Sequence, residues 1–302
     1  MAGATGRSPL QIIMEAMARF GVAGCPPNFW KSPFKGDSAN NPLWLASIGL
    51  EAYEVQFTHG IRMDREKALR VAENARKGGI ALSVHAPYFV VLTSLDETVV
   101  KNSIDLMVRC VEFAGYLGTH KLVLHPGPHQ GSPKEALKRC LKNLEVVARD
   151  IPKGTYIYPE TTGRREFLGS LEEVVEMCKE LNFLRPCIDF AHLHARNRGN
   201  LVTPEDYGRV FDYIARELGP EALDHLHCHF CPVEFDAKGE KYHRNFKDGT
   251  YGPRFEPFLE TVVEYGINPT IICESKQSQD EDALVMKRYY EVARNKKRLE
   301  VG

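Results

Sequence analysis

The sequence lacks any apolar run of about 18 residues, the length that a membrane-spanning helix needs. Its first residues, MAGATGRSPLQII, also lack the basic-then-apolar order of a signal peptide. The eight cysteines are spread over helix-like and strand-like stretches, which disfavours the disulfide framework of a secreted protein. We therefore expect reduced thiols, no membrane partner and a cytoplasmic location.

The chain also lacks a strong net charge, internal repeats and flexible linkers. A net charge of −1 neither favours nor excludes nucleic acid, which would need a local basic surface. Because no repeat or Gly/Ser linker divides the 302 residues, we predict a single domain over residues 1–302, expected to be a monomer. Neither G-x-G-x-x-G nor G-x-x-x-x-G-K-[ST] occurs, so the common nucleotide-binding folds lose support.

Eight short apolar runs alternate with amphipathic helical stretches. Helix starts are marked by Ser132 with Glu135 and by Ser170 with Glu173, both of which have the spacing of a capping box. Regular alternation of strands and helices predicts βαβ units and a parallel sheet. The fold class is therefore α/β, a single (β/α)₈ TIM barrel, with a doubly wound open sheet as the alternative. The predicted strands cover residues 20–24, 52–57, 81–86, 120–125, 155–160, 186–190, 223–230 and 269–274.

Six consecutive predicted strands carry metal-binding residue types at or near their C-terminal ends. In a TIM barrel these ends meet on one face, where active sites are built. Packing carboxylates and imidazoles together is costly without compensating positive charge, which divalent cations supply. This donor mixture favours zinc, with manganese or iron as alternatives. The residues are His85, His125, Glu160, Asp189 with His192, the trio His225, His227 and His229, and Glu274.

The three histidines of the seventh strand alternate in sequence, so they face the same side of the sheet. His225, His227 and His229 cannot all bind one ion, and the pattern alone leaves open which of them does.

Five motifs along these strands resemble those of the endonuclease IV family, in the same order. That family contains zinc-dependent apurinic/apyrimidinic endonucleases and belongs to the xylose-isomerase-like TIM barrels. The resemblance covers roughly residues 50–290 and is that of a divergent member. The motifs are His85-Ala-Pro-Tyr88, His125-Pro-Gly-Pro-His129, Glu160-Thr-Thr-Gly163, Cys187-Ile-Asp189-Phe-Ala-His192 and Ile272-Cys-Glu274.

The resemblance implies two or three zinc ions per chain. It also implies cleavage of double-stranded DNA on the 5′ side of abasic sites, leaving a 3′-hydroxyl and a 5′-deoxyribose phosphate. Glu160 and Glu274 would be catalytic. Carried over by position, the first ion would be held by His85, His125 and Glu160; the second by Glu160, Asp189, His227 and Glu274; and the third by His192 and His243.

DNA contacts are also implied by the resemblance. Arg62 matches an arginine that inserts into the base stack, and Tyr88 and Phe89 match wedge residues. Expelling a nucleotide from the stack is cheapest where its base is already missing, which is one source of selectivity for abasic sites.

One departure from the family concerns the third ion, because Lys241 stands where the family has an aspartate ligand. A protonated lysine has no lone pair for a metal. Either a nearby carboxylate from Asp236, Glu240 or Asp248 completes the site, or the third ion is weak or absent. In the second case, which we prefer from the sequence, Lys241 itself would act in catalysis by stabilising charge on the substrate phosphate.

The main competing hypothesis is a sugar isomerase or epimerase with the same barrel. It would need one divalent ion, held by Glu160, Asp189, His227 and Glu274. Four further histidines distinguish the hypotheses, since only a multinuclear phosphodiesterase needs them: His85, His125, His192 and His243. A metal-binding relative without catalytic activity is the third possibility.

Overall fold

The computed structural model describes residues 17–301. Within these residues, ten strands, numbered β1 to β10 in chain order with the bounds given at the end of this paragraph, form an eight-stranded parallel sheet and a separate antiparallel hairpin of β8 and β9. The order in the parallel sheet is β5-β4-β3-β2-β1-β10-β7-β6. The TIM-barrel prediction is confirmed, and each predicted barrel strand overlaps an observed one. The strands are β1 (Arg19–Ala23), β2 (Ala52–Gln56), β3 (Ala81–His85), β4 (Lys121–Leu124), β5 (Tyr156–Pro159), β6 (Cys187–Asp189), β7 (His227–Phe230), β8 (Val233–Asp236), β9 (Gly239–His243) and β10 (Thr270–Cys273).

The barrel closes between β5 and β6. Two isolated parallel bridges join them, one from Ile157 to Leu184 and one from Glu160 to Cys187. The amide of Thr161 also donates to the carbonyl oxygen of Cys187 at 3.1 Å. Closure brings the C-terminal ends of β5 and β6 together, and both ends carry predicted ligands.

Helices follow the barrel strands and cover the outside of the barrel. Capping boxes are formed at Ser132 with Glu135 and at Ser170 with Glu173, as predicted. Within residues 17–301, no helix combines the length and apolar character needed to cross a bilayer. The helices are α1 (Asn41–Ser47), α2 (Arg65–Gly78), α3 (Glu97–Tyr116), α4 (Pro133–Val147), α5 (Leu171–Glu180), α6 (Phe190–Arg196), α7 (Pro204–Leu218), α8 (Phe255–Tyr265) and α9 (Gln279–Val301).

The two faces of the barrel strands differ in chemistry. Outward-facing side chains such as Val55, Val84 and Ile188 are buried in the main hydrophobic core. The inner face holds only a small apolar cluster, which includes Val123 and Tyr158. TIM-barrel interiors are usually filled with branched aliphatic side chains. The many buried polar side chains on this inner face therefore mark it as a functional surface.

Candidate metal centre

Glu160 lies at the centre of the site and is fully buried at the end of β5. One carboxylate oxygen, Oε2, is 2.9 Å from Nε2 of His85 and 3.4 Å from Nε2 of His125. The other, Oε1, is 3.2 Å from Nδ1 of both His192 and His229. Burial alone would raise the pKa of Glu160, but the imidazoles of His125 and His229 hold it well below its usual range. Glu160 therefore faces two groups of ligands as an anion.

The first group contains His85, His125 and Glu160, whose ligand atoms lie within 4.8 Å of one another. Burial lowers the pKa of His125 to about 4, so this imidazole is neutral near pH 7. Nδ1 of His85 is 2.7 Å from the carbonyl oxygen of Ala86, and donation to that oxygen would leave Nε2 to face the site. Neutral imidazoles with a free ring nitrogen are the form that binds metals.

A second group contains Glu160, Asp189, His229 and Glu274, again with ligand atoms within 4.8 Å of one another. Oδ2 of Asp189 is buried and has no hydrogen-bond partner. Burial, together with the carboxylates of Glu160 and Glu274, raises the pKa of Asp189 to about 6. Nδ1 of His192 lies 3.3 Å from this Oδ2 atom. A buried carboxylate oxygen that accepts no hydrogen bond, next to two further carboxylates, fits a site that binds a cation.

The structure places His229 in this second group, and His227, which the resemblance assigned there, lies elsewhere. Alternation does put both side chains inside the barrel, but His227 is two residues, about 6.6 Å, deeper along the strand. Its Nε2 is 2.8 Å from the buried carboxylate of Glu54. His225 precedes β7 and is exposed. Proximity to the C-terminal end of the strand was the signal that distinguished the three histidines.

A third group contains Asp189, His192 and His243. Between the two imidazoles lies Glu240, with Oε2 3.1 Å from Nε2 of His192 and Oε1 3.3 Å from Nε2 of His243. Burial lowers the pKa of His243, but the contact with Glu240 and the charge of Glu274 outweigh it and raise the pKa to about 9. Of the two alternatives for the third ion, this geometry favours completion by a carboxylate, because Glu240, one of the three candidates, contacts both imidazoles.

A bulge in the hairpin explains why Glu240, and not residue 241, faces the site. Glu234 pairs with Tyr242 while Phe235 pairs with Glu240, so Lys241 is the extra residue. Residues three apart normally lie on opposite faces of a strand, and one inserted residue returns them to the same face. Glu240 and His243 therefore both point inward. The Lys241 side chain is 42% exposed and lies 3.6 Å from Glu234.

Two glycines bring the hairpin against the barrel. At Gly239, which has φ of +111°, a Cβ would lie 2.1 Å from the carbonyl oxygen of Gly163. At Gly163, a Cβ would lie 2.5 Å from the Cβ of Glu240. The amide of Glu240 donates to the carbonyl of Gly163 at 3.2 Å. Any side chain at either glycine would push Glu240 away from the histidines.

A deeper group of possible ligands consists of Cys187, His227 and His229. All three are fully buried inside the barrel. Burial raises the pKa of the Cys187 thiol far above its usual range, so it is protonated at neutral pH. These residues lie below the other three groups and form the floor of the site.

An open cleft of about 550 Å³ lies above the three groups. Tyr88 and Tyr242 line it and are 54% and 58% exposed. Arg164 and Lys241 also line it. The ring of Tyr88 is centred 5.5 Å from the ring of His125, so it adjoins the first group directly.

The other two predicted DNA contacts lie beside this cleft. Phe89 is 56% exposed, and its ring is 3.7 Å from the position of a Cβ at Gly60. Arg62 lines a neighbouring groove with His59 and Lys67. The loops after β2 and β3 therefore meet, and they form one exposed edge next to the cleft.

Comparison with known sequences places the chain in a family. The sequence profile of the xylose isomerase-like TIM barrel family matches residues 42–292, most of the chain. The chain belongs to this family.

Two curated relatives of this barrel protein differ in what is known of them. An uncharacterized protein of Methanocaldococcus jannaschii is 29% identical over 92% of this chain and 99% of its own length. A probable endonuclease 4 of Aquifex aeolicus is 24% identical over 72% of this chain and 84% of its own length.

Solved structures of similar proteins support the barrel fold, and the two described here belong to proteins named for different activities. An L-ribulose 3-epimerase has a TM-score of 0.68 at 14% identity, covering 95% of this chain and 99% of its own. Endonuclease IV of Thermus thermophilus has a TM-score of 0.66 at 20% identity, covering 90% of this chain and 99% of its own. Likeness at this level shows the shared fold of the family alone.

Within this xylose isomerase-like barrel, two carboxylates at the centre, Glu54 and Glu240, were not singled out by the sequence pattern, for different reasons. Glu54 lies in the middle of β2, away from the strand end, so position along the strand did not mark it. A charged residue on the inner face of a barrel strand was the available signal. Glu240 was one of three candidates, and only the bulge at Lys241 singles it out.

Proposed function

We propose that this protein is a metal-dependent phosphodiesterase that cleaves DNA on the 5′ side of abasic sites. The observation that carries the proposal is the linkage of three ligand groups through shared residues. Glu160 belongs to the first and second groups, and Asp189 to the second and third. A single-ion enzyme has no need for the surrounding histidines.

The proposed ligand sets assign each ion to one group, with zinc as the metal and manganese or iron as alternatives. Zinc bound there would activate water and neutralise charge on a phosphodiester. The chain's own contribution is to hold these donors in fixed positions before substrate binds. The sets are His85, His125 and Glu160; Glu160, Asp189, His229 and Glu274; and Asp189, His192 and His243, together with Glu240.

The proposed substrate is double-stranded DNA with an abasic site. Tyr88 and Tyr242 offer exposed rings on which a base or sugar can stack, and Arg164 and Lys241 offer positive charge for phosphates. Phe89 and Arg62 lie beside this cleft, and we propose that they contact the duplex on either side of the abasic site. We propose that Lys241 contacts a phosphate at the edge of the cleft, in place of the predicted catalytic role, since its side chain lies outside the ligand groups.

Two measurements on the same preparation test the function. Metal analysis of the zinc-loaded protein should give two or three ions per chain, and the protein should nick an abasic duplex to leave a 3′ end that a polymerase extends. The matched control is the same duplex with an intact base, which should not be cut. Two or three bound ions without nicking of the abasic strand would refute the proposed substrate.

The second candidate function is a sugar isomerase or epimerase. It is favoured by the second group, since Glu160, Asp189, His229 and Glu274 could hold one divalent ion without the rest. One tightly bound ion, together with interconversion of ketoses and no DNA cleavage, would establish it.

We further propose that the enzyme is cytoplasmic and monomeric. The eight cysteines are all free thiols, which supports a reducing compartment. Sedimentation in the presence of zinc measures the oligomeric state.

A further inference from the structure

We infer that Glu54 is a positioning residue that orients His229 and selects its Nδ1 as the metal-binding nitrogen. The inference rests on the metal centre of the proposed function, but it does not depend on the substrate being DNA. Glu54 lies on β2, in the barrel interior below the three ligand groups, and its side chain is fully buried.

Both oxygens of Glu54 have partners, which lie on β2 itself, on the adjacent strand β3 and, across the barrel interior, on β7. Oε2 accepts a hydrogen bond from the hydroxyl of Ser83 at 2.8 Å and lies 2.8 Å from Nε2 of His227. Oε1 accepts from the side-chain amide of Gln56 at 3.1 Å and lies 3.1 Å from Nε2 of His229. The contact with His229 has the distance of an ion pair without the alignment of a hydrogen bond. The carboxylate is thus fixed between two imidazoles.

His229 has an anion on each side of its ring. Nδ1 faces the other residues of the second ligand group, 3.2 Å from Oε1 of Glu160 and 3.6 Å from Oε1 of Glu274. Nε2 faces Glu54. A ring nitrogen without a proton would point its lone pair at the Glu54 carboxylate, which is unfavourable. The proton of the neutral ring therefore belongs on Nε2, and the lone pair on Nδ1 is left for a cation.

His227 has a different role from the one its residue type suggests. It contacts the Glu54 oxygen that His229 does not, with its Nε2 2.8 Å from Oε2. It cannot reach Glu160 or Asp189 from its deeper level. Its contact with Oε2 leaves the second oxygen, Oε1, to face His229.

The energetics also indicate a role connected with the metal centre. A carboxylate taken from water into a barrel interior costs several kcal/mol unless it is paired. Aliphatic side chains at Glu54, Ser83 and His227 would fill the interior without that cost, as TIM barrels usually do. A negative charge behind a metal-ligating imidazole increases the basicity of the imidazole and its affinity for the ion, by about 10- to 100-fold in known sites.

The test is Glu54→Gln, which keeps the shape of the side chain and removes its charge. Cobalt(II) titration followed by visible absorption reports the ligand geometry of each site, and the component lost in His229→Gln identifies the site that contains His229. We expect E54Q to bind cobalt at that site about 10- to 100-fold more weakly, with a shifted spectrum. Ser83→Ala is the matched control, since it removes a neutral hydrogen bond to the same carboxylate. It should change this affinity by no more than about threefold.

Wild-type affinity and spectrum in E54Q would overturn the inference while leaving the metal centre intact. If wild-type protein showed no component that depends on His229, the proposed centre itself would be wrong. Should E54Q fail to fold, Glu54→Asp tests the inference instead, because its shorter side chain keeps the charge but moves it away from His229. A shifted cobalt spectrum in E54D would support the positioning role, and an unchanged spectrum would refute it.

Discussion

Two parts of the molecule supply the proposed ligands of the centre in different ways. The barrel strands place His85, Glu160 and Asp189 by backbone pairing with the adjacent strands of the barrel. The hairpin of β8 and β9 instead reaches across the mouth and supplies Glu240 and His243 from outside the eight-stranded sheet.

The difference lies in what fixes each ligand. A strand-end ligand cannot move without disturbing the sheet, because its own backbone belongs to the ladder. The hairpin is attached through local contacts, among them the close approach of Gly239 to Gly163. We therefore expect changes in the strands to abolish chemistry, and changes in the hairpin to adjust metal content and substrate affinity.

The largest effect is expected at Glu160. Glu160→Gln removes the charge shared by the first two groups but keeps the shape of the side chain. Cleavage of abasic duplex should fall on the order of 1,000-fold or more, comparable with loss of a key electrostatic group elsewhere. Circular dichroism should show an intact fold, because the residue lies at the barrel mouth. Activity near that of the wild type would remove Glu160 from the centre.

A pH effect on the metal-free protein should come from the hairpin. The pKa of His243 is raised to about 9 in the folded state, against about 6.5 when unfolded. Its contribution to stability is therefore fully present below about pH 6.5 and is lost as the pH rises through about 9. The free energy of unfolding should fall by at most about 3 kcal/mol over this pH range. Because the His243 side chain is 22% exposed, solvent screening makes the decrease smaller.

Chemical denaturation in the presence of a chelator, at about pH 6.5 and about pH 9.5, measures this contribution. His243→Gln should lack the corresponding part of the pH dependence. Zinc should reduce or reverse the decline, since it binds the neutral imidazole. An identical pH dependence in the variant would show that His243 is not held by Glu240 in solution.

Glu240→Gln should affect metal content more than chemistry. Without the carboxylate charge, the third ion should bind about 10- to 100-fold more weakly, so the count should fall by one at limiting zinc. The two ions held by strand ligands should remain. Loss of all bound metal would mean that hairpin and strands form a single cooperative site, against the division described above.

The strand ends could be predicted from the sequence because two simple rules place them. Because side chains alternate along a strand, the sequence predicts which of them face the barrel interior. The barrel fold predicts that the C-terminal ends of the strands converge on one face. His85, Glu160 and Asp189 needed nothing more. The choice among the three histidines of β7 stayed open from the pattern, and the resemblance pointed to His227, whereas the structure groups His229, nearer the strand end, with Glu160, Asp189 and Glu274. Glu240 depends on the bulge at Lys241, a backbone irregularity that residue spacing does not reveal.

Tyr88→Ala should weaken binding to abasic duplex by roughly 1–3 kcal/mol, the usual contribution of one stacking aromatic. The bound metal count should not change, although the ring lies close to His125. Tyr242→Ala is the counterpart on the hairpin and tests whether both sides of the cleft hold the substrate. Fluorescence anisotropy with abasic and intact duplexes measures both. A loss of metal in Tyr88→Ala would instead assign the ring a structural role.

The smallest effect is expected at Lys241, which separates the two interpretations of the third site. If Lys241 replaced a metal, Lys241→Ala would greatly reduce turnover at saturating DNA. Its exposed side chain and its ion pair with Glu234 argue for a weaker role, as a contact to phosphate. We expect an unchanged metal count, a loss of binding below about 1 kcal/mol and a salt dependence of affinity reduced by about one phosphate contact. Because the bulge directs Glu240 and not Lys241 inward, a drop in kcat of about 100-fold with all metals bound would contradict this assignment.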